Sequence, residues 1–197
     1  MSTMPTLETV RLLVRPFVME DLPDVHRLLD IELREADLSA DKMETPTERA
    51  QWLQWTILNY EQLAKLRQPP YGDRAVVLKS TGQLIGACGF VPCLNAFEQL
   101  PTFAPHYASA GSSLYSTEFG LFYAISPAHQ HRGYAAEAAQ ALVDYAFQQL
   151  RLKRIVATTT YENTASMGVM RKLGMRIEKN PHSKPPWLQV VGVLENK

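Results

Sequence analysis

The stretch from Phe119 to Leu150 constrains this chain more than any other, because the period of its apolar residues changes partway along. Phe119–Ile125 is an apolar, aromatic run of the length of a buried strand. Ala138, Leu142, Tyr145, Ala146 and Gln149 then recur at helical spacing in an Ala-rich segment. The residues between, Pro127 to Tyr134, are therefore a strand-to-helix turn. The first N–H groups of a helix have no partner inside it, and the helix dipole places positive potential at the same end. A diphosphate suits such a corner. Gly133 removes a Cβ that would obstruct a close ligand, Ala135 keeps the next turn slim, and Arg132 adds a charge for an anion. A polar turn with one glycine before a helix also occurs with no ligand, so spacing alone leaves both readings open. The stretch lacks the Gly-Lys-Ser/Thr ending of a Walker A loop and the three glycines of the dinucleotide fingerprint.

Composition narrows the class. A chain of 197 residues has room for one domain with a sizeable core, and 46% hydrophobic residues argue for a folded one. Lys+Arg and Asp+Glu are both 20, so the basic excess of a nucleic-acid binder is missing. No apolar run approaches the roughly 20 residues that span a bilayer, and the N-terminus has no charged-then-apolar export pattern. Cys88 and Cys93 have no Cys or His neighbours at zinc spacing, so idle thiols and no metal are expected. A cytoplasmic chain, monomeric or homodimeric, without membrane or nucleic-acid partners, fits these properties.

Along the chain, residues 1–8 read as a loose terminus and Val10–Phe17 as a first strand. Asp21 is placed to cap a helix carrying Leu22, Val25, Leu28 and Leu29, with His26 beside that face as a packing or surface residue. Residues 34–45 read as loop. Thr45-Pro46-Thr47-Glu48 is a capping box with proline at the first helical position, followed by Leu53, Ile57, Tyr60 and Ala64. Trp52 and Trp55 lie on other faces, for packing or for the wall of an acceptor pocket. Arg74–Lys79 and Gln83–Val91 form a hairpin about Ser80-Thr81-Gly82, and Gly86 and Gly89 point to a bulge or a close neighbour. Pro92–Ser116 is too long for an ordinary connection and is either a lid or an insertion, with His106 and Tyr107 as candidate acceptor contacts. After the strand Thr117–Ile125 and the Ala-rich helix come a strand at Ile155–Thr160, a short helix capped by Asn163 and ended by Gly174, and strands at Met175–Glu178 and Leu188–Leu194. The order predicts an α/β (α+β) fold, a mixed sheet with helices on both faces.

Three ordered stretches resemble one family. Gln130-His131-Arg132-Gly133-Tyr134-Ala135 is similar to the Gln/Arg-x-x-Gly-x-Gly/Ala signature of the GCN5-related N-acetyltransferases (GNAT). Thr9–Phe17 with Glu20-Asp21 resembles the opening of its RimJ/RimL-like branch, and Asn163-Thr164-Ala165-Ser166 with Arg171-Lys172-Leu173-Gly174-Met175 resembles that branch's close. The resemblance implies a mostly antiparallel twisted sheet of about seven strands in a single domain over residues 1–197, its core at about 9–195, with a loop insertion at about 92–116. It implies acetyl transfer from acetyl-CoA, as co-substrate, to a primary amine on a protein N-terminus or small molecule. The main chain of Ala124, Ile125 and Ser126 would then pair with the pantetheine arm. The N–H groups of His131, Arg132, Gly133, Tyr134, Ala135 and Ala136 would take the pyrophosphate, Asn163 would bond the arm, and Ser166 would approach the thiol.

The chemistry also needs a base for the protonated amine and a donor for the oxyanion. Many relatives carry an acid where this chain has Gly120. Glu118 lies two residues earlier, on the same strand face but displaced by about 6–7 Å, and is the candidate base, acting through a water, or else only a charged edge residue. Tyr123 and Tyr161 are alternative proton donors. A non-catalytic acyl-CoA-binding domain of the same fold is the competing reading, favoured by the displaced acid.

Overall fold

The computed structural model describes residues 4–35, 43–103 and 114–196. Its elements run β1 (Leu7–Glu8), β2 (Leu12–Pro16), α1 (Leu22–His26), a π-helical turn (Arg27–Glu32), α2 (Leu33–Glu35), α3 (Pro46–Lys65), β3 (Asp73–Leu78), β4 (Leu84–Asn95), β5 (Ser116–Ile125), α4 (Tyr134–Gln148), β6 (Arg154–Thr159), α5 (Thr164–Lys172), β7 (Arg176–Lys179) and β8 (Val190–Glu195). The mixed α/β class and the mainly antiparallel pairing agree with the sequence reading. Among the described residues the strands number eight, the addition being β1 in what reads as a loose terminus. The chain divides into two compact units, one of residues up to Gly89 with Phe122–Leu142, the other of Phe90–Leu121 with the residues from Val143 on.

In the first unit β1, β2, β3 and β4 pair in sequence, all antiparallel. Its core joins Phe17, Val25, Leu28, Leu53, Val77 and Leu84, and burying each such side chain contributes about 1.5–3 kcal/mol. The capping box of α3 forms as spaced: Thr45 N donates to Glu48 Oε2 at 2.8 Å and Glu48 N to Thr45 Oγ1 at 3.2 Å. Asp21 does not cap α1 through its side chain. Its carboxylate instead takes two 2.7 Å bonds from Arg15 and one of 2.9 Å from Val18 N, because a bidentate guanidinium outcompetes an amide. Asp30 is likewise clamped by Arg49, with side chains only 2% and 10% exposed. Trp52 packs edge-on against Phe17 while Trp55 is exposed. His26 bonds the Glu44 carbonyl at 3.1 Å. Gly86 and Gly89 do mark close neighbours: a Cβ would lie 2.5 Å from Ala124 O and 2.5 Å from Asp73 Cα respectively.

In the second unit β5 and β6 run parallel, registered at Gly120↔Val156, and β6, β8 and β7 follow as antiparallel neighbours. Phe97, Leu100, Val156, Leu188, Val191 and Val193 form its core. Gly174, at φ +77°, ends α5 as expected. On α5, Met167, Met170 and Leu173 are buried, while Ser166 and Val169 are half-buried. Gln149 falls one residue past α4 and is exposed, so α4 buries Ala138, Leu142, Tyr145 and Ala146 without it. His106 and Tyr107 lie outside the described residues. Among the described residues no helix is long and apolar enough to cross a membrane.

One acid in the first unit is held against its preference. Burial pushes the Asp73 carboxyl up to about 6. Between the ordinary carboxylate value near 4 and this one, the folded chain keeps a proton that the unfolded chain releases, so stability falls as pH rises through that window. Asp73→Asn is expected to stabilise the protein by about 1–3 kcal/mol at pH 8 and to leave it unchanged at pH 4, read by urea denaturation at both values.

Candidate functional site

Ser126 ends β5 with its N–H on the carbonyl of Ile85, at 2.8 Å, and is buried. A 3-10 turn follows, closed by His129 N to Ser126 O at 2.8 Å and Gln130 N to Pro127 O at 3.3 Å. Gln130 folds back to donate from Nε2 to Ile125 O at 3.0 Å. The chain then passes through left-handed backbone at His131 (φ +58°) and Gly133 (φ +83°). The first bond of α4 is Glu137 N to Gly133 O, 3.0 Å. Among the described residues, none of the N–H groups from His131 to Ala136 meets an acceptor. These are the amides that the sequence pattern assigns to an anion, with the positive end of α4 behind them. A Cβ on Gly133 would come no closer to a protein atom than 3.5 Å, to Arg11, so backbone conformation rather than crowding by the protein calls for glycine.

Glu137, in the first turn of α4, anchors the corner. Its carboxylate accepts Thr9 Oγ1–H at 2.6 Å, Arg11 N–H at 2.9 Å and Arg11 Nε at 2.7 Å. Burial opposes its charge, but the bonds from Thr9 and Arg11 outweigh burial and hold the carboxyl below its ordinary range. The Arg11 guanidinium lies 4.3 Å over the Tyr134 ring. The structure thus brings a second cation beside Gly133 in addition to the exposed Arg132. Sequence reasoning placed Arg11 within the first strand and gave it no role in the site. Its partner is 126 residues away, beyond any local pattern.

The pantetheine triplet divides by strand alternation. Ser126 N–H is spent on β4, and Ala124 O also faces β4, beside Gly86. Alternation turns the main chain of Ile125 to the opposite strand edge. Gln130 takes its carbonyl, so Ile125 N–H is the group of the three aimed away from β4.

The remaining candidates, Tyr123 apart, lie in the second unit. Glu118 is clamped by Arg154, whose Nε donates to Oε2 at 2.9 Å and whose Nη2 bonds Oε1. Arg154 also stacks 4.4 Å over Phe103. A shallow pocket of about 290 Å³ opens along Thr117, Glu118, Phe119, Lys153 and Arg154. Sequence spacing found the acid but not its guanidinium, which sits on another strand. At Gly120 the space for a side chain is taken: a Cβ would lie 2.2 Å from Cys93 Sγ. Burial raises the Cys93 thiol pKa, so this thiol is a neutral filler. Asn163 caps α5, its Oδ1 accepting Ser166 N–H at 2.9 Å. Tyr161 gives its hydroxyl proton to the Asn180 carbonyl, and Tyr123 is half-buried on β5. Among the described residues no group of three or more His, Cys, Asp or Glu is placed to hold a metal ion.

Residues 11–176 match the family model described as the acetyltransferase (GNAT) domain. The chain belongs to the GNAT family. It is 48% identical over 60 residues to the uncharacterized N-acetyltransferase YnaD of Bacillus subtilis, covering 30% of this chain and 35% of that protein. The matched stretch spans 57% and 48% of the length of two further curated relatives. A crystal structure of an acetyltransferase from Agrobacterium tumefaciens shares the fold, with TM-score 0.68, 24% identity and coverage of 99% of this chain and 96% of that one. RimL, a ribosomal L7/L12 alpha-N-protein acetyltransferase solved in complex with coenzyme A, also shares it, with TM-score 0.65, 16% identity and 96% coverage of both chains.

The Gly120–Cys93 contact makes a testable pair. Gly120→Ala is expected to destabilise this GNAT protein by about 1–3 kcal/mol through overpacking. Cys93→Ala, which removes the sulfur and leaves the Val91 carbonyl oxygen 3.1 Å and the residue 93 Cβ 3.6 Å away, is expected to restore part of that loss in the double variant. Thermal or urea unfolding of the four proteins measures the coupling.

Proposed function

We propose that this chain is an acetyl-CoA-dependent N-acetyltransferase, folded as one catalytic domain over residues 1–197 with its core at about 9–195, and acting in the cytoplasm on a primary amine. The observation that carries the reading is the run of unpartnered amides from His131 to Ala136 at the start of α4, between Arg11 and Arg132. Six N–H groups and two cations form an environment for paired phosphates, and Glu137 fixes its shape without intruding as a free anion. Ile125 N–H takes a carbonyl of the pantetheine arm. The family resemblance assigns Asn163 to the same arm and Ser166 to the thiol.

The reaction follows from the ligand. The neutral amine attacks the thioester carbonyl, a C–N bond forms, and the oxyanion collapses with loss of the CoA thiolate. The amine's proton leaves to a base and a proton reaches the thiolate. Glu118 is the proposed base, through a water, since the Arg154 clamp uses one lone pair on each oxygen and leaves one. A protein N-terminus, as the name of RimL states for that enzyme, and a small-molecule amine are both acceptors of this class. The chain acts as a monomer or homodimer.

A second reading has a specific observation behind it. Cys93 fills the side-chain place at Gly120 and Arg154 holds Glu118, which suits an acyl-CoA-binding domain without turnover. Acetyl-CoA consumption with a panel of amines, followed by thiol release, decides between them: tight cofactor binding with no thiol released for any amine selects the second.

Two variants test the first reading. Gly133→Glu is expected to weaken acetyl-CoA binding at least about 100-fold, by placing a carboxylate against the phosphates, while circular dichroism stays native. Unchanged affinity refutes the assignment of the turn. Glu118→Gln is expected to lower kcat by about 10²–10⁴-fold with acetyl-CoA affinity kept. An unchanged kcat leaves Glu118 only its ion pair.

A further inference from the structure

A groove of about 490 Å³ in the second unit lies between the end of β4 and the segment before β8. Asn95, Ala96, Gln99, Tyr115 and Lys184–Pro186 line it. Two of its side-chain amides have fixed orientations. The Trp187 indole N–H, which can only donate, bonds Asn95 at 3.2 Å, so the Asn95 oxygen faces the indole and its NH₂ is free to donate. His182 N–H bonds the oxygen of Asn180 at 3.0 Å, which leaves the Asn180 NH₂ to donate to Gln99 at 3.1 Å. The Gln99 oxygen therefore faces Asn180, and its NH₂ remains to donate. Both amide orientations are fixed by backbone or indole donors rather than chosen.

The backbone follows the same pattern. The Ala96 carbonyl accepts Gln99 N–H at 3.2 Å, the Pro185 carbonyl Leu188 N–H at 3.0 Å, and the Pro186 carbonyl Gln189 N–H at 3.3 Å. Lys184 is exposed and has no ion-pair partner among the described residues. The groove thus offers two carboxamide NH₂ groups and one ammonium, while each acceptor identified along it already takes one hydrogen bond. A carboxylate, with two oxygens and about four lone-pair sites, matches what is offered.

We propose that this groove binds the carboxylate of the acceptor, so that the substrate is an amine that also carries a carboxylate, as in an amino acid or an ω-amino acid. The identity of the ligand's anionic end rests on the groove alone; its role as acetyl acceptor rests on the acetyl-transfer reading above. The volume suits a small molecule, and Pro185, Pro186 and the Tyr115 ring give the rest of it apolar surface.

The test uses the full chain with amino acids, β-alanine, 4-aminobutyrate and 6-aminohexanoate, each beside its carboxamide, in equilibrium binding by NMR titration. The best acids are expected to bind at least about 10-fold more tightly than their amides, the range of a charge-assisted pair. Lys184→Met is expected to remove most of that preference. Gln99→Glu keeps the oxygen that Asn180 needs but replaces the donor with a negative oxygen, and is expected to abolish or reverse the preference. Acids and amides that bind alike, no binding by either, or a preference that survives both variants overturns the proposal. Thiol release from acetyl-CoA with the same compounds separates the two readings. Lys184-dependent binding of acids without thiol release leaves the groove and removes acetyl transfer. Release that is equal for acids and amides keeps acetyl transfer and removes the groove.

Discussion

The first unit depends on one carboxylate. Glu137 stands in the opening turn of α4 and collects bonds from Thr9, from the Arg11 amide and from the Arg11 guanidinium. These tie the start of the helix to the chain just before β2. A negative charge within the first helical turn is also favoured by the helix dipole. The same residue therefore stabilises the helix end, orients it and occupies the Arg11 charge on its inner side. What remains exposed at the corner is a set of amides whose directions are set by this anchor and by the left-handed steps at His131 and Gly133.

Much of the fold was legible because it is written locally. The Thr45-Pro46-Thr47-Glu48 cap, the Ser80-Thr81-Gly82 hairpin and the Phe119-to-Tyr145 change of period are each carried by one continuous stretch of chain, and each took the expected form. Boundaries slipped where a longer-range partner intervened. Asp21 reads as a cap but belongs to Arg15. Leu7–Glu8 reads as a frayed terminus but gains a ladder from Val14 and Leu13, which no pattern within residues 1–8 announces.

The candidate site divides the same way. The amide turn was visible in sequence, since glycine before an Ala-rich helix is a local signal. The side chains that qualify it were not. Arg11, Arg154 and Cys93 reach their partners across separations that only the folded chain brings together. Glu118 shows the consequence: its strand face could be read from alternation, but not that a guanidinium already holds both its oxygens. In the lining of the 490 Å³ groove, too, residue types alone suggest mixed polarity, and only the partners of Asn95 and Gln99 reveal which end of each amide is left without a partner.

The sulfur lodged against Gly120 also bears on how such a chain changes over generations. A descendant that acquired a carboxylate at Gly120 first would push it into Cys93 and lose packing before gaining any chemistry. The passable route begins at Cys93, with a smaller residue that is nearly silent by itself and opens the space. History at this strand therefore has a preferred order. A chain with the thiol still in place has not taken the first step toward an acid at that position.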